Sequence, residues 1–347
     1  MTQKDLCKLG FIALVGLVFI FAACEKKTIV NSPPPETASC FLCHSDSSTK
    51  ILAAEKQWEH SVHSTGAHLN ENTSSCSFCH TNEGFVAKLT TGTVPATIEN
   101  PTAIGCFTCH APHTTGNLTL RTNASYMLLD STASSTYNKG QSNICVHCHH
   151  NRRNVNTYVY DGVKMSSHYG PHYSNQSDML LGTNAYEYAG VTYTNSYHSS
   201  GVTDGCNTCH METVVGYILG GHSTNMVWEG EENVDACNIS RCHDGAPLTS
   251  FNRTATGDFD GDGTTEGVQD EIEGLMEKLK TKLIAANLLT SEGDPVARNV
   301  ATKDSVGTVF NYKFVEEDRS EGIHNTKYAV KLLQSSIDFL SPPMTAK

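Results

Sequence analysis

The chain is poor in the residues that build an ordinary apolar core: 38% of its 347 residues are hydrophobic and 8% are aromatic. Ser, Thr and Asn fill most of the gaps between its motifs. An interior made of side chains alone is not expected, so the fold needs another source of apolar mass. Positive charge is also scarce, with 24 Lys and Arg against 36 Asp and Glu and a formal net charge of −12. That balance argues against nucleic acid or an anionic membrane surface as the main partner. The apolar run from Leu9 to Ala23 is too short to read as a membrane span.

Cysteine and histidine are what the chain has in excess, at 14 and 17 residues. They fall into a repeated cassette. Cys40–His44, Cys76–His80, Cys106–His110, Cys145–His149 and Cys206–His210 each read C-x-x-C-H, and Cys237–His243 is the wider CNISRCH. The five regular copies carry the attachment signature of c-type haem. In that chemistry both thiols add to the vinyl groups of one haem, and the adjacent imidazole becomes the proximal ligand of its iron. The covalent sites are therefore Cys40 and Cys43, Cys76 and Cys79, Cys106 and Cys109, Cys145 and Cys148, Cys206 and Cys209, and Cys237 and Cys242. Their proximal ligands are His44, His80, His110, His149, His210 and His243. A disulfide framework gives no reason for a histidine after every second cysteine. Zinc needs four ligands per ion rather than a cassette of three. Six haem c groups would supply the missing apolar mass and the expected core, leaving the haem-free chain poorly folded.

The N-terminus reads as an export signal. Lys4 and Lys8 precede the apolar run, which ends in Phe21-Ala22-Ala23-Cys24, small residues at a cleavage point. This resembles a bacterial lipobox, with Phe21 where Leu is usual, and it implies a lipid anchor on Cys24. The cysteines then balance: twelve for haem, Cys24 for lipid, and Cys7 lost with the leader. Residues 1–23 form the signal peptide and 24–39 a tether stiffened by Pro33-Pro34-Pro35. Residues 40–250 form the haem-binding body, and 251–347 a helical part.

Successive proximal histidines lie 36, 30, 39, 61 and 33 residues apart. With no fixed period, a solenoid is not indicated. The expected fold is mainly α with extensive irregular loops, organised around covalently bound haems, with few short β-hairpins. The segment Asn151–Ser200 holds eight of the thirteen tyrosines. It suggests hairpins at Tyr158–Tyr160, turning at Asp161-Gly162, and at Tyr186–Tyr188, turning near Gly190. Its tyrosines suit either haem edges or ordinary strands. Beyond Thr254, Val268, Ile272, Leu275, Leu279 and Leu283 recur at helical spacing, as do Val330, Leu333, Ile337 and Leu340. Two helices are expected there, packed on each other and on the last haems.

Eleven histidines remain for the six distal positions. The set expected is His63, His113, His168, His198, His222 and His324, with His150, His60 and His172 as contenders. Methionines such as Met211 serve more often as packing. Gly220-Gly221 beside His222 suggests a close backbone approach to a macrocycle. His/His irons have lower potentials than Met/His irons.

Together the six motifs, the lipobox-like leader, SSHYGPH and MLLG (166–172 and 179–182), the Gly-Gly-His step and GIHNTKYAVKLL (322–333) resemble the multihaem c-type cytochromes of metal-respiring bacteria. GIHNTKYA also resembles the helix after a distal His in their nitrite-reductase-like branch. The resemblance implies stacked haems forming an electron path. It implies partners that are redox proteins or extracellular electron acceptors, in a cell-surface or periplasmic setting. The C-x-x-C-K motif of ammonia-forming nitrite reductases does not occur, which weighs against that activity. Two other readings stand beside the electron carrier. One is a reductase with one open haem acting on a small oxyanion or nitrogen compound. The other is a subunit self-assembling into a conducting filament.

A smaller motif, Asp258-Phe-Asp260-Gly-Asp262-Gly263, matches the first half of an EF-hand loop, with hard oxygen donors suited to a structural calcium. Position 12 is Gln269 rather than Glu, and Glu266 stands at position 9. The plainer reading is an acidic turn capping the helix that follows.

Overall fold

The computed structural model describes residues 49–341, except 67, 131–134, 213–217, 240, 241 and 244. Cys24, the proline-rich tether and the first motif (Cys40, Cys43, His44) lie outside the described residues. Eight described helices have five or more residues: α1 (Thr49–Glu59), α2 (Asn82–Thr91), α3 (Gln176–Leu181), α4 (Tyr197–Gly201), α5 (Gly205–His210), α6 (Val268–Ala285), α7 (Lys303–Asp318) and α8 (Thr326–Leu340). The other described α-helices are single turns. Strands are two or three residues long and pair only in twos. Mainly helical structure joined by irregular loops is the architecture. No described helix is long and apolar enough to cross a membrane.

Two of the strand pairs are short hairpins, β1 (Tyr126–Met127) with β2 (Thr136–Tyr137) and β4 (Val227–Trp228) with β5 (Glu231–Glu232). Neither stands where the sequence suggested one. Val155–Tyr158 is a helical turn, capped by the Asn154 side chain. The Asp161-Gly162 turn leads into β3 (Val163–Met165), which pairs antiparallel with β6 (Arg298–Val300) from far along the chain. Tyr186 and Tyr188 lie in irregular chain, their rings T-shaped at 5.1 Å. Aromatic enrichment signalled burial there rather than a strand.

That burial belongs to a conventional core, which the composition did not suggest. Val155, Val159, Val163, Met165, Tyr169 and Met179 join Ile272, Leu275, Leu279, Leu283, Phe310, Phe314 and Leu333 in one buried cluster. Each such side chain contributes roughly 1.5–3 kcal/mol by leaving water. Tyr158 stacks on Tyr169 at 4.4 Å, and Tyr193 donates to or accepts from Ser335 on α8 at 2.9 Å. Tyr158, Tyr169, Tyr186 and Tyr193 thus serve the side-chain core, whereas Tyr160, Tyr173 and Tyr197 are exposed. Because the cluster draws on both sides of residue 250, and residues 47–347 form one unit, no packing break falls at the expected boundary.

Three helices, not two, build the C-terminal part. α6 and α8 carry the apolar stripes read from sequence. α7 lies between them in the chain and is buried almost all round, from Val306 through Val315. A helix with no solvent face shows no amphipathic period. Thr302 caps its start by accepting from Ser305 N–H, and Arg319 ends it in a left-handed turn at φ 58°.

Candidate haem centres

Each described regular motif closes a single helical turn. The His80 N–H donates to the Cys76 carbonyl at 3.2 Å, His110 to Cys106 at 2.9 Å, and His149 to Cys145 at 3.0 Å. Residues three and four apart share a helix face, so the second cysteine and the histidine lie on the side of the first. In the longer CNISRCH the His243 N–H reaches the Cys237 carbonyl at 3.1 Å. The ends of the longer motif thus meet as they do in the regular ones.

An iron held between two imidazoles sets a definite spacing for their rings. A metal lies about 2 Å from an imidazole nitrogen, which puts the ring centres of two such ligands about 6 Å apart. His63 and His149 have ring centres 6.1 Å apart; His110 and His222, His198 and His243, and His210 and His324 are each at 6.3 Å. His80 faces two imidazoles, His172 at 6.3 Å and His68 at 5.8 Å. All five described motif histidines therefore face a second imidazole at a spacing that fits an axial pair.

Of the six distal candidates, four face a motif histidine. His168 is exposed and makes no ring contact with a motif histidine among the described residues; His172 stands beside His80 at 6.3 Å, the spacing of the other pairs, with His68 closer at 5.8 Å. The chain turns there through Gly170-Pro171, with His172 at φ 78°, and the Tyr173 N–H donates to Glu317 at 2.9 Å. A tertiary turn of this kind leaves no sequence period to read. His113 lies on the exposed turn Pro112–Thr115, its ring 5.7 Å from Phe107. His150 is engaged elsewhere, with Nε2 3.2 Å from the Tyr126 hydroxyl and Nδ1 2.8 Å from the Asn151 carbonyl. His60 meets the edge of Trp228 at 6.0 Å.

The chain orients these rings with specific contacts. His63 sits in a 3₁₀ turn whose Ser61 hydroxyl accepts from the His63 N–H at 3.1 Å. Burial, then the neighbouring His149, lowers the His63 pKa to about 4, keeping the imidazole in the neutral form that binds metal. The His222 N–H donates to Gln57 on α1 at 3.0 Å. Gly220, at φ 64°, could not carry a side chain, because a Cβ would lie 2.0 Å from the Glu212 carbonyl oxygen. Close packing of chain against chain thus requires the glycine. His210 Nδ1 bonds the Thr224 carbonyl at 2.9 Å, and His198 Nδ1 bonds that of Ile323 at 2.7 Å. Asn325, fully buried, donates to the Met179 carbonyl and accepts from Ser196 N–H, which pins α4 and its His198 to the start of α8.

Motifs also meet one another. The Cys79 thiol interacts with that of Cys148, and Cys145 with Cys206. The Tyr137 hydroxyl lies 3.2 Å from the Cys206 sulfur. Cys209 lies close enough to Cys237 and Cys242 to feel their charge. The second, fourth, fifth and sixth motifs therefore follow one another in space.

The acidic loop brings carboxylate oxygens of Asp258, Asp260 and Asp262 within 4.8 Å of one another. Asp258 accepts from the N–H groups of Gly261 at 2.6 Å and Gly263 at 2.9 Å. Glu266 is exposed, and the buried carboxylate behind the loop is Glu271, which accepts from Phe259, Asp260 and Glu266 N–H groups. Glu271 escaped the sequence reading because it lies past the twelve-residue motif. The following helix is capped from elsewhere: Asn252 Oδ1 accepts from Gln269 N–H at 2.9 Å.

Comparison with known proteins gives two likenesses. The C-type polyheme cytochrome OmcC of Geobacter sulfurreducens is 25% identical over 259 residues, covering 61% of this chain and 31% of that protein. The crystal structure of the outer cell wall cytochrome OcwA superimposes with a TM-score of 0.52 at 22% identity, over 82% of this chain and half of that one. The chain thus spans half or less of the length of these relatives. No protein-family model matches. In its repeated cassette and its paired imidazoles, the chain is similar to multihaem c-type cytochromes.

Proposed function

We propose that the chain carries electrons through six covalently attached haems and performs no bond chemistry. The supporting observation is that each described motif histidine faces a second imidazole at 5.8 to 6.3 Å. Two imidazoles on one iron would leave no open position for a substrate and would favour a low potential. Each bound haem supplies a one-electron ferric/ferrous couple. The residues' part is to anchor the group through two thioethers, hold the rings in place and keep water away. The assigned distal set is His63, His172, His198, His222 and His324 for the described motifs, with His113 for the first. This reading is tested by intact mass. The processed polypeptide should gain six haems, and five would mean that CNISRCH is not loaded.

We further propose that the protein is exported, acylated at Cys24 and held at the cell surface or periplasmic face, where it meets redox proteins or extracellular acceptors. Cys24→Ala should release it from membranes or stall its processing. A wild-type protein found wholly soluble, with an unmodified N-terminus, contradicts the anchor. The convergence of Asp258, Asp260 and Asp262 supports a structural calcium reading. Calcium should then raise the melting temperature, and Asp258→Asn should remove that rise.

A further inference from the structure

The loop from Asp318 to His324 joins α7 to α8 and touches the second ligands of two neighbouring centres. His324 faces His210 at 6.3 Å, and its Nδ1 lies 2.7 Å from Asp318 Oδ1. One residue earlier, the Ile323 carbonyl accepts from His198 Nδ1 at 2.7 Å, and His198 faces His243. The two adjacent centres therefore have different second contacts, a carboxylate at one and a neutral carbonyl at the other. Other contacts of this kind are also neutral: His210 bonds the Thr224 carbonyl, and His149 bonds the Gln176 side-chain oxygen at 3.3 Å.

The Asp318 side chain is 1% exposed, so solvent and salt screen its charge poorly. Its other oxygen accepts from the Ser320 hydroxyl, and Ser320 Oγ in turn accepts from the His324 N–H at 3.1 Å. The carboxylate is thus fixed toward the imidazole by its own loop. A carboxylate partner raises the basicity of a metal-bound imidazole more than a carbonyl does, and second contacts of this kind tune the metal. A more basic ligand favours ferric over ferrous iron and lowers the potential.

We propose that Asp318 is a redox-positioning residue. Acting through His324, it holds the haem of the fifth motif below its neighbour on the sixth, so that this one loop sets an energy step between them. The inference rests on the axial-ligand reading above.

The test uses the full-length, haem-loaded protein, with potentiometric titration and electron paramagnetic resonance. Asp318→Asn should move one midpoint potential upward and shift the g values of one low-spin signal, leaving the other haems in place. Ser320→Ala removes the hydroxyl that fixes the carboxylate toward His324 and should move the same haem upward, by less than Asp318→Asn does. That second variant decides the matter if the first fails to load. His324→Ala should make one haem high-spin. If it does so while Asp318→Asn and Ser320→Ala leave every potential unchanged, the proposed role of Asp318 is wrong. If His324→Ala yields no high-spin haem, the axial reading itself fails, and this inference with it.

Discussion

The motif-bearing segments and the C-terminal helices solve the same problem by different means. Between Thr49 and His150 the longest helix has eleven residues, and the motif turns span four. Few buried apolar side chains lie there beyond Phe85, Ile98, Leu128, Tyr137, Ile144 and Val146. Between Val268 and Leu340 three helices of fifteen to eighteen residues bury a continuous apolar cluster. Isolated four-residue turns are far below the length at which a helix is stable alone. The first region must draw its order from what is attached to it, the second from its own packing. The difference gives the helical part a second role. A rigid scaffold presents His324 and the Ile323 carbonyl to two centres whose covalent anchors lie elsewhere.

The largest effect expected from this contrast is on the chain made without haem attachment. Hydrogen exchange should then be fast through residues 62–150 while α6, α7 and α8 keep protected amides. Equal loss of protection in both regions would remove the distinction. Next comes Phe310→Ala in α7, where Phe310 is wholly buried. It should cost about 3–5 kcal/mol in the C-terminal core, read as an earlier denaturant midpoint, with the visible spectra of the second and third motifs unchanged. Cys237→Ser tests the longer motif and should weaken or abolish loading of one haem, read by mass. An unchanged mass would mean that CNISRCH is a turn without a cofactor.

The smallest expected effect is on pH dependence. Burial, opposed by the Asn151 N–H and the Asn184 side chain, raises Asp178 to about 7. The ordinary aspartate value is about 3.9. A carboxyl raised on folding binds its proton more tightly in the folded state. Its contribution to stability is therefore complete below about pH 4 and is lost as the pH rises toward 7. Melting temperatures of wild type at pH 5 and 7.5 should show this fall, and Asp178→Asn should flatten it. An identical slope in the variant would remove Asp178 from the account.

What the sequence reveals follows the range of the interactions. The cassette is local, because one helical turn fixes its geometry, so its six copies stand out in the sequence. α6 and α8 are legible because each keeps one polar face. α7 is not, since Val309, Phe310, Phe314 and their neighbours leave no solvent side from which a period could be read. Which imidazole faces which motif is a tertiary fact. The sequence favours His168 over His172, and it is the left-handed turn at His172 that brings the second ring beside His80. Asp318 was invisible for the same reason, since its meaning depends on the loop that folds it onto His324.

The central claim is that every iron has two imidazole ligands. Its most direct test is the electron paramagnetic resonance spectrum of the fully loaded, oxidised protein, with spins quantified against haem content by mass. Only low-spin ferric signals, accounting for all six haems, are expected. A high-spin signal amounting to one haem per chain would contradict the claim and turn the reading toward a reductase with an open iron.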